Sequence, residues 1–202
     1  MDDIKKFLKT RKVMNSIMVL ANMMVFIVMD WTGNTENTAY MLAHGASFVP
    51  KILEGEYYRL FTSMFLHFGI GHFFNNMLVL VALGNILESR IGKVRYVIIY
   101  VIGGIAGNIL SAFWEMQTGN YTVSAGASGA VFAVIGALLY IVLKNHHQEK
   151  AINLRGLFLM TTLMLLQGFT RQGIDNAAHI GGFAIGFLLA VPLCGRKLEL
   201  TT

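Results

Sequence analysis

"GASGAVFAVIG", residues 126–136, decides how this chain is read. Ser128 sits in a GxSG arrangement with Gly126 and Gly129, a pattern that presents a nucleophile on a turn in soluble hydrolases. Here the serine opens an apolar run with no charge before Lys144. A helix over Ser128–Leu143 is about 24 Å long, several ångströms short of a hydrocarbon core of about 30 Å. Anchored at its far end by Lys144, it starts beneath the membrane surface and places Ser128 at the floor of a cavity. The preceding stretch, "NYTVSAGASG" (residues 120–129), is irregular backbone at that depth. Such backbone survives only when it is buried in protein or lines a water-filled cavity.

The composition agrees with a membrane setting. Of 202 residues, 55% are hydrophobic and 13% charged, with a mean hydropathy of +0.58. Soluble domains carry about a quarter charged residues, so a soluble globular protein is excluded. Six apolar segments are visible: Met14–Met29, Phe61–Leu87, Val97–Trp114, Ser128–Leu143, Leu154–Phe169 and Ala177–Leu193. Backbone groups in lipid must be satisfied within the segment, so each is expected to be helical. The expected fold is all-α: a polytopic membrane protein with six transmembrane helices. Residues 1–13 read as a lead-in, 14–195 as one membrane domain and 196–202 as a tail. The longest connection, Trp31–Leu60, is long enough to be functional or interfacial. The single Cys194 rules out an internal disulfide and reads as apolar filler.

The formal charge of +5 does not point to nucleic acid, because the cations are placed by topology. Lys5, Lys6, Lys9, Arg11 and Lys12 precede the first segment. Arg90, Lys93 and Arg95 lie between the second and third, Lys144, Lys150 and Arg155 between the fourth and fifth, and Arg196 and Lys197 after the sixth. The alternate loops hold Lys51, Arg59 and Arg171. This is the positive-inside pattern, with both termini cytoplasmic. The N-terminal run, with Asp2 and Asp3, reads as a cytoplasmic lead-in rather than a targeting peptide.

Polar residues inside apolar helices are costly and default to functional hypotheses. "HFGIGHFFNNM" carries His72 and Asn76 four apart on one helix face, and "DNAAHIGGFAIG" places His179 about one turn into the sixth segment. All lie at the depth inferred for Ser128, where they supply a base and hydrogen-bond donors. Small residues support the convergence: Gly129, Ala133 and Ala137 on the fourth segment face Ala178, Gly182, Gly186 and Ala190 on the sixth. Gly103, Gly107 and Ser111 read as a generic packing stripe, and Gly104 as a position off the seam. Asp175, four residues before His179, reads more economically as a helix N-cap than as a catalytic acid. Three histidines and an asparagine without a carboxylate or thiolate make a poor metal site, so no metal is expected. His44, His146 and His147 read as solvated or interfacial.

From "GEYYRLFTSMFLHFGIGHFFNNM" through "LESRIGK" and "GASG" to "AAHIGGFAIG", the chain resembles the rhomboid intramembrane serine proteases of the six-helix bacterial type. The resemblance rests on the spacing of His67, His72 and Asn76, the GxSG serine and the histidine of "AHIGGFAIG". It implies a Ser128–His179 dyad without an acid, and an oxyanion site formed by His72, Asn76 and the N–H of Ser128, with Gly126 beside it. It further implies cleavage of transmembrane protein substrates within the lipid bilayer of a bacterial inner membrane, by a monomer with no cofactor. Tyr58-Arg59 stands where the family has Trp-Arg, and Glu88 and Arg90 match a pair read as structural. The alternative is a catalytically inactive rhomboid-like protein that binds transmembrane helices. A solute or proton transporter ranks third, because neither inverted repeats nor buried carboxylates are visible.

Overall fold

The computed structural model describes residues 13–144, 154–168 and 174–194. The expected N-terminal lead-in, the C-terminal tail, and His146 and His147 lie outside the described residues. Nine helices carry the described chain: α1 (Val13–Thr32), α2 (Thr38–Ala43), α3 (Val49–Leu53), α4 (Arg59–Thr62), α5 (Gly69–Ile91), α6 (Lys93–Thr118), α7 (Ser128–Lys144), α8 (Leu154–Gly168) and α9 (Asn176–Leu193). Among the described residues the sole β pairing is an isolated antiparallel bridge between Ser47 and Ser124. Four helices (α1, α5, α6 and α9) are long and apolar enough to cross a membrane, and α7 is apolar but 17 residues long.

The α7 helix is apolar all round, and every residue from Ser128 to Leu138 is buried. A helix of that kind belongs at the centre of a bundle. It packs against α6 and α9 through backbone contacts that leave no room for side chains. A Cβ on Gly182 would stand 2.1 Å from the Gly129 carbonyl oxygen, and one on Gly186 would stand 2.0 Å from that of Ala133. Gly136, rather than Ala137, makes the third approach, 2.1 Å from the Phe183 carbonyl. The α6 stripe enters the same seam: a Cβ on Gly103 would stand 2.3 Å from the Ala133 Cβ, and one on Gly107 would stand 2.7 Å from the Ala178 carbonyl. It is thus part of the three-helix contact and not a generic face. Gly104 is also enclosed, with its Cβ position 2.3 Å from Met64 Cε and 3.0 Å from Ala130 Cβ. The α6 helix lies between α7 and the turn at Ser63–Phe65, so neighbouring positions on it are covered from two sides.

The second apolar segment begins later than its hydropathy suggests. Arg59–Thr62 and a 3₁₀ turn at Ser63–Phe65 form a separate elbow, ended by Leu66 in extended conformation (φ −89°, ψ 147°). Gly69 then starts α5 with φ +72°, a left-handed conformation that glycine adopts at little cost. One π turn, Leu80–Gly84, interrupts α5.

A polar knot ties the far end of α5 to α1 and α6. Both oxygens of the buried Glu88 accept backbone N–H groups that the first turn of α1 would leave orphaned, from Met14 at 3.0 Å and Asn15 at 2.8 Å. Asn15 Nδ2 donates to the Leu80 carbonyl and to Asn85 Oδ1, each at 3.0 Å, and Asn15 Oδ1 accepts Tyr96 Oη at 2.6 Å. Glu88 is therefore structural.

The long connection after α1 is organised by Arg59, which is 5% exposed. Its Nη1 donates to the Leu42 and Ala46 carbonyls at 2.7 and 2.9 Å, and its Nε to Glu56 Oε2 at 2.7 Å. The Tyr58 hydroxyl donates to the same Glu56 oxygen at 2.7 Å. One edge of this connection, Ser47, exchanges two backbone hydrogen bonds with Ser124 (2.9 and 3.0 Å) and so reaches the segment before Ser128.

Candidate active site

Ser128 is the first residue of α7, where the helix leaves N–H groups unsatisfied and its dipole is positive. Two contacts fix the approach. The Gly126 N–H donates to the Ser63 carbonyl at 2.9 Å, and the Ala127 N–H donates to His67 Nε2 at 3.3 Å. Ser63 is in turn held by Asn108, whose Nδ2 donates to Ser63 Oγ at 3.0 Å and to the Leu60 carbonyl at 2.8 Å. Because His67 Nε2 accepts, its proton is on Nδ1. The elbow before α5 thereby becomes a wall for the serine, a role that spacing alone does not disclose for His67.

His179 sits one turn into α9, and its Nε2 lies 2.7 Å from Ser128 Oγ. The two groups are 51 residues apart in sequence and are 2% and 8% exposed, respectively. The imidazole stacks on Phe132 of α7, with centroids 4.4 Å apart and planes 16° apart, which fixes the ring's orientation. Among the described residues its Nδ1 has no hydrogen-bond partner, so no carboxylate orients it. Asp175 is the N-cap of α9, accepting the Ala178 N–H at 2.9 Å.

His72 and Asn76, both buried on α5, face the same space. Gly126 has φ +150°, and a Cβ there would stand 2.8 Å from His72 Cε1, 3.0 Å from His72 Nε2 and 3.5 Å from Ser128 Oγ. The missing side chain leaves a gap between the histidine and the serine hydroxyl that a developing oxyanion can fill. The Asn76 amide currently donates to the His72 carbonyl at 3.0 Å, one turn back on its own helix, while its Oδ1 has no partner among the described residues. Nδ2 retains a second hydrogen for a ligand. His67 meets His72 edge to face at 5.4 Å and so buttresses it.

An apolar cleft of about 630 Å³ runs from His179 between α7, α8 and α9. Phe132, Ile135, Ile180 and Phe183 form one wall, and Leu157, Phe158, Thr161, Thr162 and Leu165 of α8 form the other. His44 is exposed, with Nδ1 2.7 Å from the Tyr40 carbonyl.

The family model for the Rhomboid domain matches residues 54–196. The chain is 34% identical over 177 residues to Rhomboid protease GluP of Bacillus subtilis (strain 168), covering 88% of this chain and 34% of that protein. It is 39% identical over 145 residues to RHOMBOID-like protein 5 of Arabidopsis thaliana, covering 71% and 46%. To Rhomboid protease AarA of Providencia stuartii it is 31% identical over 172 residues, covering 75% and 61%. The chain thus spans between about a third and three fifths of the length of these relatives. With four helices long and apolar enough to cross a membrane and the domain match across most of its length, this multi-pass membrane chain belongs to the rhomboid family.

Proposed function

We propose that this chain is an intramembrane serine endopeptidase that cleaves transmembrane segments of other membrane proteins, with Ser128 as nucleophile and His179 as general base. The observation that carries the reading is the 2.7 Å approach of His179 Nε2 to Ser128 Oγ at the buried start of α7. Two relatives that bear the name rhomboid protease support it.

In the first step His179 Nε2 takes the hydroxyl proton while Ser128 Oγ attacks the peptide carbonyl carbon. The negative charge moves to the carbonyl oxygen, which lies in the gap left by Gly126. There His72, Asn76 and the Ser128 N–H donate to it, and the α7 dipole adds its positive end. Collapse of the tetrahedral species breaks the C–N bond, and the imidazolium returns its proton to the leaving amine. Water then enters, gives a proton to His179 and hydrolyses the acyl-enzyme, regenerating the serine. Stacking on Phe132 limits rotation of the imidazole, which is one part of what an acid does in a triad. This chemistry uses no metal or cofactor.

In this reading α7 and α8 complete six crossings, both termini are cytoplasmic, and the Ser128 end of the bundle faces the outside of a bacterial cell membrane. The short α7 sets the depth of the reaction. The cleft beside α8 receives the apolar body of the substrate, and a monomer suffices.

The test is a fluorophosphonate probe on the purified chain in detergent, beside cleavage of a transmembrane-segment library read by mass spectrometry. Ser128 is expected to carry the label. Ser128→Ala and His179→Ala should each abolish cleavage, and the double variant should be no worse, since the two act as a unit. Substantial turnover by either single variant overturns the dyad. Tight capture of transmembrane segments without labelling or cleavage would identify a non-cleaving binder.

A further inference from the structure

The Asp175 carboxylate does more than cap α9. Capping occupies one oxygen, Oδ1, which accepts the Ala178 N–H at 2.9 Å. The other, Oδ2, accepts the Ser111 hydroxyl of α6 and the Ser124 hydroxyl at 3.3 Å. Both serines are buried, at 4% and 7% exposure. The placement is symmetrical in sequence: Asp175 precedes His179 by four residues, and Ser124 precedes Ser128 by four. The Asp175 carbonyl also accepts the His179 N–H at 3.1 Å. Ser124 is itself locked to Ser47 by two backbone bonds, so the carboxylate joins the base-bearing helix to the segment that delivers the serine. Ser111 closes the arrangement on α6, the helix packed against both.

We infer that Asp175 is a positioning residue for the reaction, a three-way tie that sets the separation of His179 and Ser128. This inference rests on the reading of those two residues as base and nucleophile. Asp175 touches neither reacting atom and donates no proton. It acts by holding two segments whose relative displacement of an ångström is enough to lose the productive contact.

The decisive variant is Asp175→Ser. Serine is among the preferred N-caps, so α9 keeps its cap, but the shorter side chain cannot also hold two hydroxyls on other segments. On the full chain in detergent, the rate of fluorophosphonate labelling at Ser128 should fall by about 10²-fold in Asp175→Ser, with a melting temperature near wild type. Asp175→Asn should restore most of the rate, because its Oδ1 caps and its amide hydrogens meet the two serine oxygens as acceptors. Ser111→Ala with Ser124→Ala leaves the cap intact and should slow labelling as much as Asp175→Ser, and combining all three should add little. Wild-type labelling in Asp175→Ser overturns the tie and leaves a cap alone. Should Asp175→Ser fail to fold, the double serine variant decides by the same rate. An unlabelled Ser128 in the wild-type chain removes the dyad reading and this inference together, whereas a labelled wild type with unaffected variants removes this inference alone.

Discussion

Asn15 and Asn76 are both buried amides on helices of membrane length, at opposite ends of the bundle, and they are used differently. Asn15 gives its Nδ2 to two acceptors, and its Oδ1 accepts a tyrosine hydroxyl. Asn76 bonds back to its own helix, and its Oδ1 has no partner among the described residues. Their neighbours follow suit. Both oxygens of Glu88 are engaged by α1, while the Nδ1 of His179 has no hydrogen-bond partner among the described residues. A buried polar group left short of partners carries a desolvation cost that a saturated one does not. The polar residues near Glu88 tie helices together, whereas Asn76 and His179 near Ser128 each leave one atom without a partner among the described residues. Saturation alone does not separate the two ends, because the buried Asn22 of α1, which donates to the Tyr100 hydroxyl, also leaves its Oδ1 without a partner among the described residues.

The sharpest way to break this comparison is to alter packing without replacing a polar residue at either end. Gly182→Val places a side chain against the Gly129 carbonyl, 2.1 Å from the Cβ position, beside the Ser128–His179 contact. Cleavage should fall close to background and the melting temperature should drop. Gly84→Ala drives a methyl to within 2.2 Å of Asn15 Oδ1. It should cost stability in the range of about 1–3 kcal/mol, as overpacking does, while turnover per folded molecule stays near wild type. Initial rates and melting curves on both variants check the contrast, and a fully active Gly182→Val would detach the site from this seam.

Next in size are His72 and Asn76. His72→Ala and Asn76→Ala should each lower kcat by about 10²-fold, with the double variant lower still, because in the proposed reaction each is one donor to the oxyanion. Wild-type initial rates in both singles would move these residues into the class of Asn15.

Glu88→Ala should do the reverse. Loss of a cap over two N–H groups costs about 1–2 kcal/mol. The melting temperature should fall by several degrees while kcat at low temperature is retained.

The smallest effect is expected in the outer connection. The Glu56 carboxyl is held below its ordinary value of 4.5, first by the Tyr58 hydroxyl bond and then by that of Arg59. A lowered carboxylate contributes stability that is complete above its ordinary range and is lost as pH falls through the depressed value. Tyr58→Phe removes the leading cause, so the Glu56 titration observed by NMR should move up towards 4.5, with little change in activity. An unmoved titration would assign the shift to Arg59.

Much of the Ser128 end is legible from sequence because its signals are local. The helical span from Ser128 is visible in its uninterrupted apolar run, and the Gly129/Ala133 against Gly182/Gly186 register follows from spacing in fours. The rest is set by pairs far apart in the chain. Asn15 meets partners 65 to 81 residues away, and nothing around it in "KVMNSIMV" has a period that announces this. The Ser47–Ser124 bridge is a single residue pair with no strand pattern on either side. The elbow before α5 is concealed because Phe61, Met64, Phe65 and Leu66 are as apolar as a spanning helix, and Gly69 alone marks the true start. Gly104 is hidden for a related reason: a stripe predicts one partner face, and α6 has two, with Met64 and Ala130 both closing on Gly104.

The π turn at Leu80–Gly84 has a consequence for how relatives can be compared. It separates the His72/Asn76 surface of α5 from the Asn85/Glu88 surface, and each surface answers to different neighbours. One residue more or fewer between them turns one surface by about 100° relative to the other. A homologue that aligns here with a one-residue gap can keep the donors or the knot in phase, but not both, unless it rebuilds the contacts at the other end. A gap in this short stretch is therefore a frame change for the whole helix, and transferring roles across it by column position alone assigns side chains to the wrong side.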